Sequence, residues 1–443
     1  MQSKTTVLRE SFVPRSIESI KQFLVSNMVT IMFVILSVLG YKVSGMTPFL
    51  FFMDITARIS RNAFLVLALI IPVMAGMGLN FSIVLGAMAA QAVVIFVTHW
   101  GIGGLPGIVL AVALVTPLAA LLGFLTGTLF NRTKGQEMIA GLILGYFAQG
   151  VYELIFLQLV GSLIPMSNPR LIMGSGVGVR TTIDLTGGLK YGLDWPGQYW
   201  GNDLLLRPTL PWTALGLSVL LALVLLAYQL RAEKRKRWSI PRMVASMVGI
   251  VVIAAWSIVQ IRSNSQINWI RVPLLTWLVI GAACVGLHFF SKTKLGQDMR
   301  SVGQNRHVAA VAGIDVNRVR IKAIILSMVM AAWGHIIFLQ NLGTFSTYGS
   351  HEQVGLYSAA ALLIGGATVA KASIKHAVLG TILFHTLFIV APAAGRQLFG
   401  DAQIGEYFRV FVAYGVIGIT LAMHAWKHVL QSRSDAKPSG TEH

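Results

Sequence analysis

Apolar residues run along this chain in twelve stretches separated by short polar or basic breaks: Phe23 to Tyr41, Ala63 to Gly76, Phe81 to Val97, Ile108 to Phe130, Met138 to Val160, Trp212 to Tyr228, Met243 to Ile261, Val272 to Phe290, Ala323 to Leu339, Val354 to Val369, Ala377 to Val390 and Phe408 to Ala425. A helix needs roughly 20 apolar residues to cross a hydrocarbon core, and it must satisfy its own backbone there. Most of the stretches meet that length. Three fall short, Ala63 to Gly76, Val354 to Val369 and Ala377 to Val390, and they read as half-helices meeting inside the membrane. The pattern predicts an all-α polytopic membrane protein with broken helices and about 10 true spans among 10–12 hydrophobic segments.

Composition supports this reading and adds an orientation. The chain has 443 residues, 55% of them hydrophobic and only 12% charged, too few charges to cover a soluble protein of this size. A net charge of +19 on a soluble chain would point to nucleic acid; here the basic residues sit between apolar runs and set topology, so no nucleic-acid partner is expected. With the N-terminus inside, the inner segments hold 24 of the 35 Lys and Arg, including the run Arg231, Lys234, Arg235, Lys236, Arg237. Both termini are therefore expected in the cytoplasm. Residues 1–22 form a cytoplasmic arm, 23–426 the membrane domain and 427–443 a cytoplasmic tail, with a large outer loop at 161–211 and an inner loop at 291–322. The outer loop is rich in Gly and aromatic residues and predicts a small structured cap. The single cysteine, Cys284, excludes an intramolecular disulfide and reads as packing.

Two constellations stand out. In the inner loop, Met299, Val302, Val308 and Val311 are near helical spacing while Arg300, Gln304 and Arg306 are polar. Short amphipathic helices broken at Gly303 and Gly313 follow, lying either on lipid headgroups or in a protein groove. The second constellation is Gly76-Met77-Gly78-Leu79-Asn80-Phe81-Ser82, which is either a tight turn between spans or an unwound helix offering hydrogen bonds to a polar solute. Leu363-Ile364-Gly365-Gly366-Ala367-Thr368 is its late counterpart and points to an internal repeat. Glu153 is the one carboxylate read as lying well inside a span, and it is expected to be paired or snorkelling. Scattered histidines without an i,i+4 pair predict no metal site, and the absence of midplane charge favours a neutral solute. Gln340 and Asn341, near an outer span end, are further solute-contact candidates.

Gly296-Gln-Asp-Met-Arg-Ser-Val-Gly-Gln-Asn-Arg, followed by Ala310-Val-Ala-Gly-Ile, Leu363-Ile-Gly-Gly-Ala-Thr and Gly380-Thr, resembles the permease subunits of bacterial ABC importers, in the branch serving ribose-type sugars and nucleosides. The resemblance extends over most of the chain from about Ala63. It implies that the inner loop couples to an ATPase through Gly296, Asp298, Arg300, Gly303, Asn305, Arg306 and Gly313, with Gly303 supplying the bend. It also implies a pathway near Gly78, Asn80, Ser82, Gly365, Gly366 and Asn341. The implied partners are cytoplasmic ABC ATPase subunits, a second permease subunit (identical or related), a periplasmic or lipid-anchored substrate-binding protein and a small-molecule substrate, in the lipid of a bacterial cytoplasmic (inner) membrane. Sugar-type relatives read Gly-Gly-Ile-Asp-Leu-Ser where this chain has Met77 and Asn80; Gly78-Leu79-Asn80 with Gln91 partly fits the nucleoside type. The chain lacks Gly-x-x-x-x-Gly-Lys-Ser/Thr, so a non-catalytic subunit without cofactor is expected, and ATP hydrolysis falls to a partner. The competing reading is an ion- or proton-coupled secondary transporter or a channel.

Overall fold

The computed structural model describes residues 27–195, 206–232 and 240–411, together with 414, 415, 417, 418 and 422. The N-terminal arm, the tail, half of the stretch Phe408 to Ala425 and part of the basic run after Arg231 lie outside the described residues.

The described chain is helical, with α1 at Met28–Ser44 ending at Gly45 in the left-handed conformation (φ 62°). Thr47 caps α2 (Pro48–Ala68), and Pro48 sits at its first turn, where a missing N–H costs nothing. Through Leu69 it continues into the short α3 (Ile70–Met74), giving a 27-residue span from Pro48 to Met74. The expected short segment at Ala63 to Gly76 is thus the apolar half of a full crossing. Its other half carries Asp54, Arg58, Ser60, Arg61 and Asn62, and a hydropathy reading rejects such residues because it assumes lipid around them.

Beyond the Gly76 turn come α4 (Ile83–His99), α5 (Gly104–Arg132) and α6 (Glu137–Leu154), which ends in a π-turn, Ile155–Leu159. α7 (Leu210–Ala232), α8 (Ile240–Arg262) and α9 (Leu274–Phe290) follow. α9 meets α10 (Lys294–Gln304) at 73°, and α11 (Arg306–Val311) leads into α12 (Val316–Leu342). The last elements are α13 (Val354–Ile364) and α14 (Ile374–Phe399). At 26 residues α14 corrects the second short segment, Ala377 to Val390, whereas α13 is short as expected, at 11 residues. Among the described residues five helices are long and apolar enough to cross a membrane, six with the bent pair α9–α10, and further apolar helices are shorter.

α12 is the axis of the bundle and packs on α2, α4 and α5. On α5, Gly123 and Gly127 face the backbone of Ile325 and Ile321; a Cβ on either would come within 2.7 Å and 2.9 Å of those Cα atoms. Small residues four apart allow this approach, and dispersion holds it where lipid offers no hydrophobic drive. α6 is the opposite case, with Ile139, Ile143, Tyr146 and Phe147 pointing outward.

The segment between α6 and α7 folds over one end of the bundle. Val160, Met166, Leu171, Ile172, Val179, Ile183, Leu185 and Leu189 are buried there together with Ile95 and Ile108 of α4 and α5. Strand β1 (Thr182–Asp184) pairs antiparallel with β2 (Thr344–Ser346), Ile183 opposite Phe345. Asp194 is fully buried and accepts from the Thr276 N–H (3.1 Å) and Oγ1 (2.6 Å), clasping this cap to α9. Burial raises the Asp194 pKa, and the bonds from Thr276 oppose the rise.

Candidate translocation pathway and coupling surface

Two crossings are completed by half-helices. After descending through α2 and α3 the chain turns at Gly76 and Gly78 (φ 70° and 71°), climbs to Asn80, and only then starts α4, which runs toward the cap. In the other, α12 rises to Leu342 beside the cap, residues 343–353 dip back between the helices, and α13 runs from Val354 to the opposite end. Its last carbonyl, Ile364 O, accepts from Thr30 Oγ1 (2.9 Å). The two half-helices begin side by side: a Cβ on Gly355 would lie 2.9 Å from Phe81 O and 3.1 Å from Val84 Cγ2. They run in opposite directions, the arrangement of an inverted repeat. The structural counterpart of Gly76 to Ser82 is therefore residues 343–353. Gly365 and Gly366 end α13, and Gly365 is pressed against the His376 carbonyl of α14.

Asn80 and Ser82 are buried and bonded to each other. Asn80 Oδ1 accepts from the Ser82 N–H (3.1 Å) and Oγ (2.5 Å), and its Nδ2 donates to Ser327 Oγ (3.4 Å), which donates to Ala68 O (2.9 Å). These bonds replace the helical ladder at the break. The facing loop is secured from α4: Gln91 Nε2 donates to Tyr152 Oη (3.1 Å), Ser346 O (3.3 Å) and Thr347 O, while Gln91 Oε1 lies 3.3 Å from both His335 Nε2 and His351 Nδ1. The chain of bonds continues from His351 Nε2 to Gln149 Oε1 (2.5 Å), and Gln149 Nε2 donates to Glu153 (2.6 Å), so Glu153 is bonded rather than solitary. Sequence reasoning missed this network because its members lie on four separate segments.

At the far end, α10 and α11 seat Met299, Val302 and Ala309 in the core. Gly303 is inside α10, not at its bend; the break falls on Asn305 (φ −156°), whose Oδ1 caps α11 by accepting from the His307 and Val308 N–H groups. Gly303 is required by proximity instead. A Cβ there would collide with Met74 O, and one on Gly76 would sit 2.7 Å from the Gly303 Cα, so α10 rests directly on the turn of the first broken crossing. Arg306 reinforces the joint, donating to Gly76 O (3.1 Å) and Glu137 Oε1 (3.2 Å). Glu137, 6% exposed, also pairs with Arg320, 0% exposed, which donates to Phe130 O (3.2 Å). Gly313 (φ 82°) separates α11 from α12, and Asp315 caps α12. Gly296 is buried against the Phe290 carbonyl, Asp298 is half-buried and Arg300 exposed.

Two cavities adjoin these parts. One of about 180 Å³ lies mid-bundle among Arg58, Asn62, Phe338, Gln353, Tyr357 and His385. The other, of about 790 Å³, opens beside α10 between Met74, Arg300, Gly303 and the Lys371 to Lys375 segment. Asn341, buried, donates to Thr276 Oγ1 (3.4 Å), and its carbonyl accepts from Arg61 (3.3 Å). Arg58, Arg61 and Asp54 all lie within α2, inside the span from Pro48 to Met74. Among the described residues no group of three His, Cys, Asp or Glu is placed to hold a metal.

Residues 199–421, from before α7 to beyond α14, match the family described as the permease component of branched-chain amino acid transport systems. The chain belongs to that permease family. Among curated relatives, this permease is 28% identical over 219 residues to the nucleoside ABC transporter permease protein NupC of Lactococcus lactis, across 45% of this chain and 67% of that one. It is 32% identical over 107 residues to the autoinducer 2 import system permease protein LsrC of Klebsiella pneumoniae, across 24% and 31%. To the probable ABC transporter permease protein YphD of Escherichia coli it is 29% identical over 184 residues, across 40% and 53%. The permease thus spans between about a third and two thirds of these relatives, and no solved structure matches it. Family and relatives agree with the ABC-permease resemblance read from the inner loop and the Gly365-Gly366 segment, and make this an integral membrane, non-catalytic transport subunit.

Proposed function

We propose that this chain is the permease subunit of an ATP-driven importer in a bacterial cytoplasmic membrane, and that it forms the path for a small sugar- or nucleoside-like solute. The observation that carries the proposal is the direct seating of α10 and α11 on the turn of the first broken crossing, through Gly303, Gly76 and Arg306. On this reading Val308 and Val311, the latter 88% exposed, form an apolar tip that enters a groove on a cytoplasmic ATPase. Closure of the ATPases on ATP pushes α10 against the Gly76 turn and shifts the paired half-helices, alternating access between the cap end and the large cavity beside α10.

The complex contains two ATPase domains and a second permease, identical or related, seated on an outward apolar face, with a substrate-binding protein docking on the cap. Both termini lie in the cytoplasm. The count that suits this topology is about ten transmembrane helices, two of the crossings each being made by a re-entrant segment and a half-helix. Gly78, Asn80, Ser82, Gly365, Gly366 and Asn341 act by holding the broken crossings in place beside the path.

Purification of the tagged chain from its membrane in mild detergent, with mass spectrometry of the eluate, tests the assembly: a co-purifying ABC ATPase is expected. In the assembled complex, Gly303→Ala, which pushes α10 off the Met74 carbonyl, is expected to lower solute-stimulated ATP hydrolysis more than basal hydrolysis. Unchanged stimulation would refute the coupling role.

A further inference from the structure

The small mid-bundle cavity carries information about the solute that the coupling surface does not. It is lined by the first turn of α13 (Val354, Tyr357, Ser358), by Arg58 and Asn62 of α2 and by His385 of α14. Among the described residues the Arg58 guanidinium forms no hydrogen bond and no ion pair, although it is half-buried in a span. A guanidinium so placed is costly unless something with charge or lone pairs meets it. His385 is 4% exposed and its Nδ1 has no partner, nor has Arg61 Nε one turn from Arg58. α13 has no side-chain cap at Gln353, and its first turn lines the cavity, which brings the positive end of the helix dipole to it.

The nearby charges do not cancel. Asp54, Arg61, Arg409 and Glu406 are the charged groups acting on Arg58. Glu406 is paired with Arg409, whose guanidinium also stacks on Phe388 (4.2 Å), which leaves Asp54 against both Arg58 and Arg61. Among the described residues the balance at the cavity is positive.

We infer that this cavity is a solute-recognition site for a small hydroxylated molecule bearing an anionic group, a carboxylate or a phosphate. Arg58 takes the anion through its planar fork of N–H donors, the first turn of α13 adds its field, and Asn62, Tyr357 and His385 meet the hydroxyls. At about 180 Å³ the cavity is below the roughly 300 Å³ at which drug-sized sites begin, which limits the solute to monosaccharide scale. The inference deepens the permease reading and rests on it, yet its test needs no ATPase.

The experiment is a ligand-dependent thermal melt of the purified full chain in detergent or nanodiscs, followed by intrinsic tryptophan fluorescence. The probes are ribose 5-phosphate, gluconate, inorganic phosphate and uncharged ribose. Stabilisation by gluconate or ribose 5-phosphate, with ribose at least tenfold weaker, is expected, and whichever acid is stronger tells carboxylate from phosphate. Arg58→Gln should weaken the acids tenfold or more, and Arg58→Lys should retain more of the effect because it keeps the charge. If Arg58→Gln does not fold, His385→Gln replaces it and is expected to weaken binding of the same acid. Equal stabilisation by ribose, no response to either hydroxylated acid, a response matched by inorganic phosphate alone, or indifference to these substitutions would overturn the inference. Loss of ATPase co-purification with the acid response intact would instead refute only the importer assembly.

Discussion

The two broken crossings share an outline and differ in what holds them. The first, through Gly76 to Ser82, is sealed by its own polar residues and bears on α10 backbone to backbone. The second, through residues 343–353, is held from outside: β2 pairs with the cap, and Gln91, His335 and His351 bind it to α4 and α12. One break therefore answers to α10 and the other to the cap, although both deliver a half-helix to the same place. On the proposed reading, two breaks held separately would let the solute path open at one end without opening at the other.

The sharpest way to break this contrast is Glu137→Ala, which strips the carboxylate from Arg306 and from fully buried Arg320. Leaving a buried guanidinium unpaired costs on the order of 3–5 kcal/mol, so folded yield and melting temperature in detergent should fall steeply. Gly76→Ala comes next: it adds a Cβ at φ 70° against the Gly303 Cα, a strain of about 1–3 kcal/mol. Solute-stimulated ATP hydrolysis should drop further than basal hydrolysis, and an equal loss in both would mean that the joint is only structural. On the opposite break, Gln91→Leu removes a donor to the Thr347 carbonyl and the acceptor facing two histidines, for about 1–3 kcal/mol. Amide exchange should quicken across residues 343–353 and stay unchanged across 75–82; parallel changes would merge the two breaks into one unit. The smallest effect is one of pH. The raised Asp194 pKa means that the folded cap holds that proton more tightly than the unfolded chain does. Its contribution is complete below the ordinary value of about 4 and is lost as pH rises through the folded value. Protection factors near Leu206, corrected for the intrinsic pH dependence of amide exchange, should therefore be slightly higher below pH 4 than at pH 8, and Asp194→Asn should flatten the difference.

Much of this was legible beforehand, and the misreadings have two causes. Apolar stretches such as Ile108 to Phe130 and Met138 to Val160 fall on α5 and α6, where most side chains face outward and hydropathy measures the right environment. The amphipathic helices of the inner loop also formed, because Met299, Val302 and Ala309 find a core. The reading failed where polar side chains turn inward. Asp54, Arg58, Arg61 and Asn62 hid the first half of α2 and with it the charged lining of the small cavity. Gly303 was read as a bend because glycine commonly marks one, while its need for space arises from Met74, more than two hundred positions away, which no local pattern encodes. The pairing of β1 with β2 was invisible for the same reason.

The meeting of Gly303 and Gly76 has a mechanical consequence. A joint made of side chains can absorb a push by changing rotamers, so part of each stroke is spent on slack. Two glycine backbones in contact have no rotamers to change. Displacement of one is displacement of the other, like a cam on its follower, with no play between them.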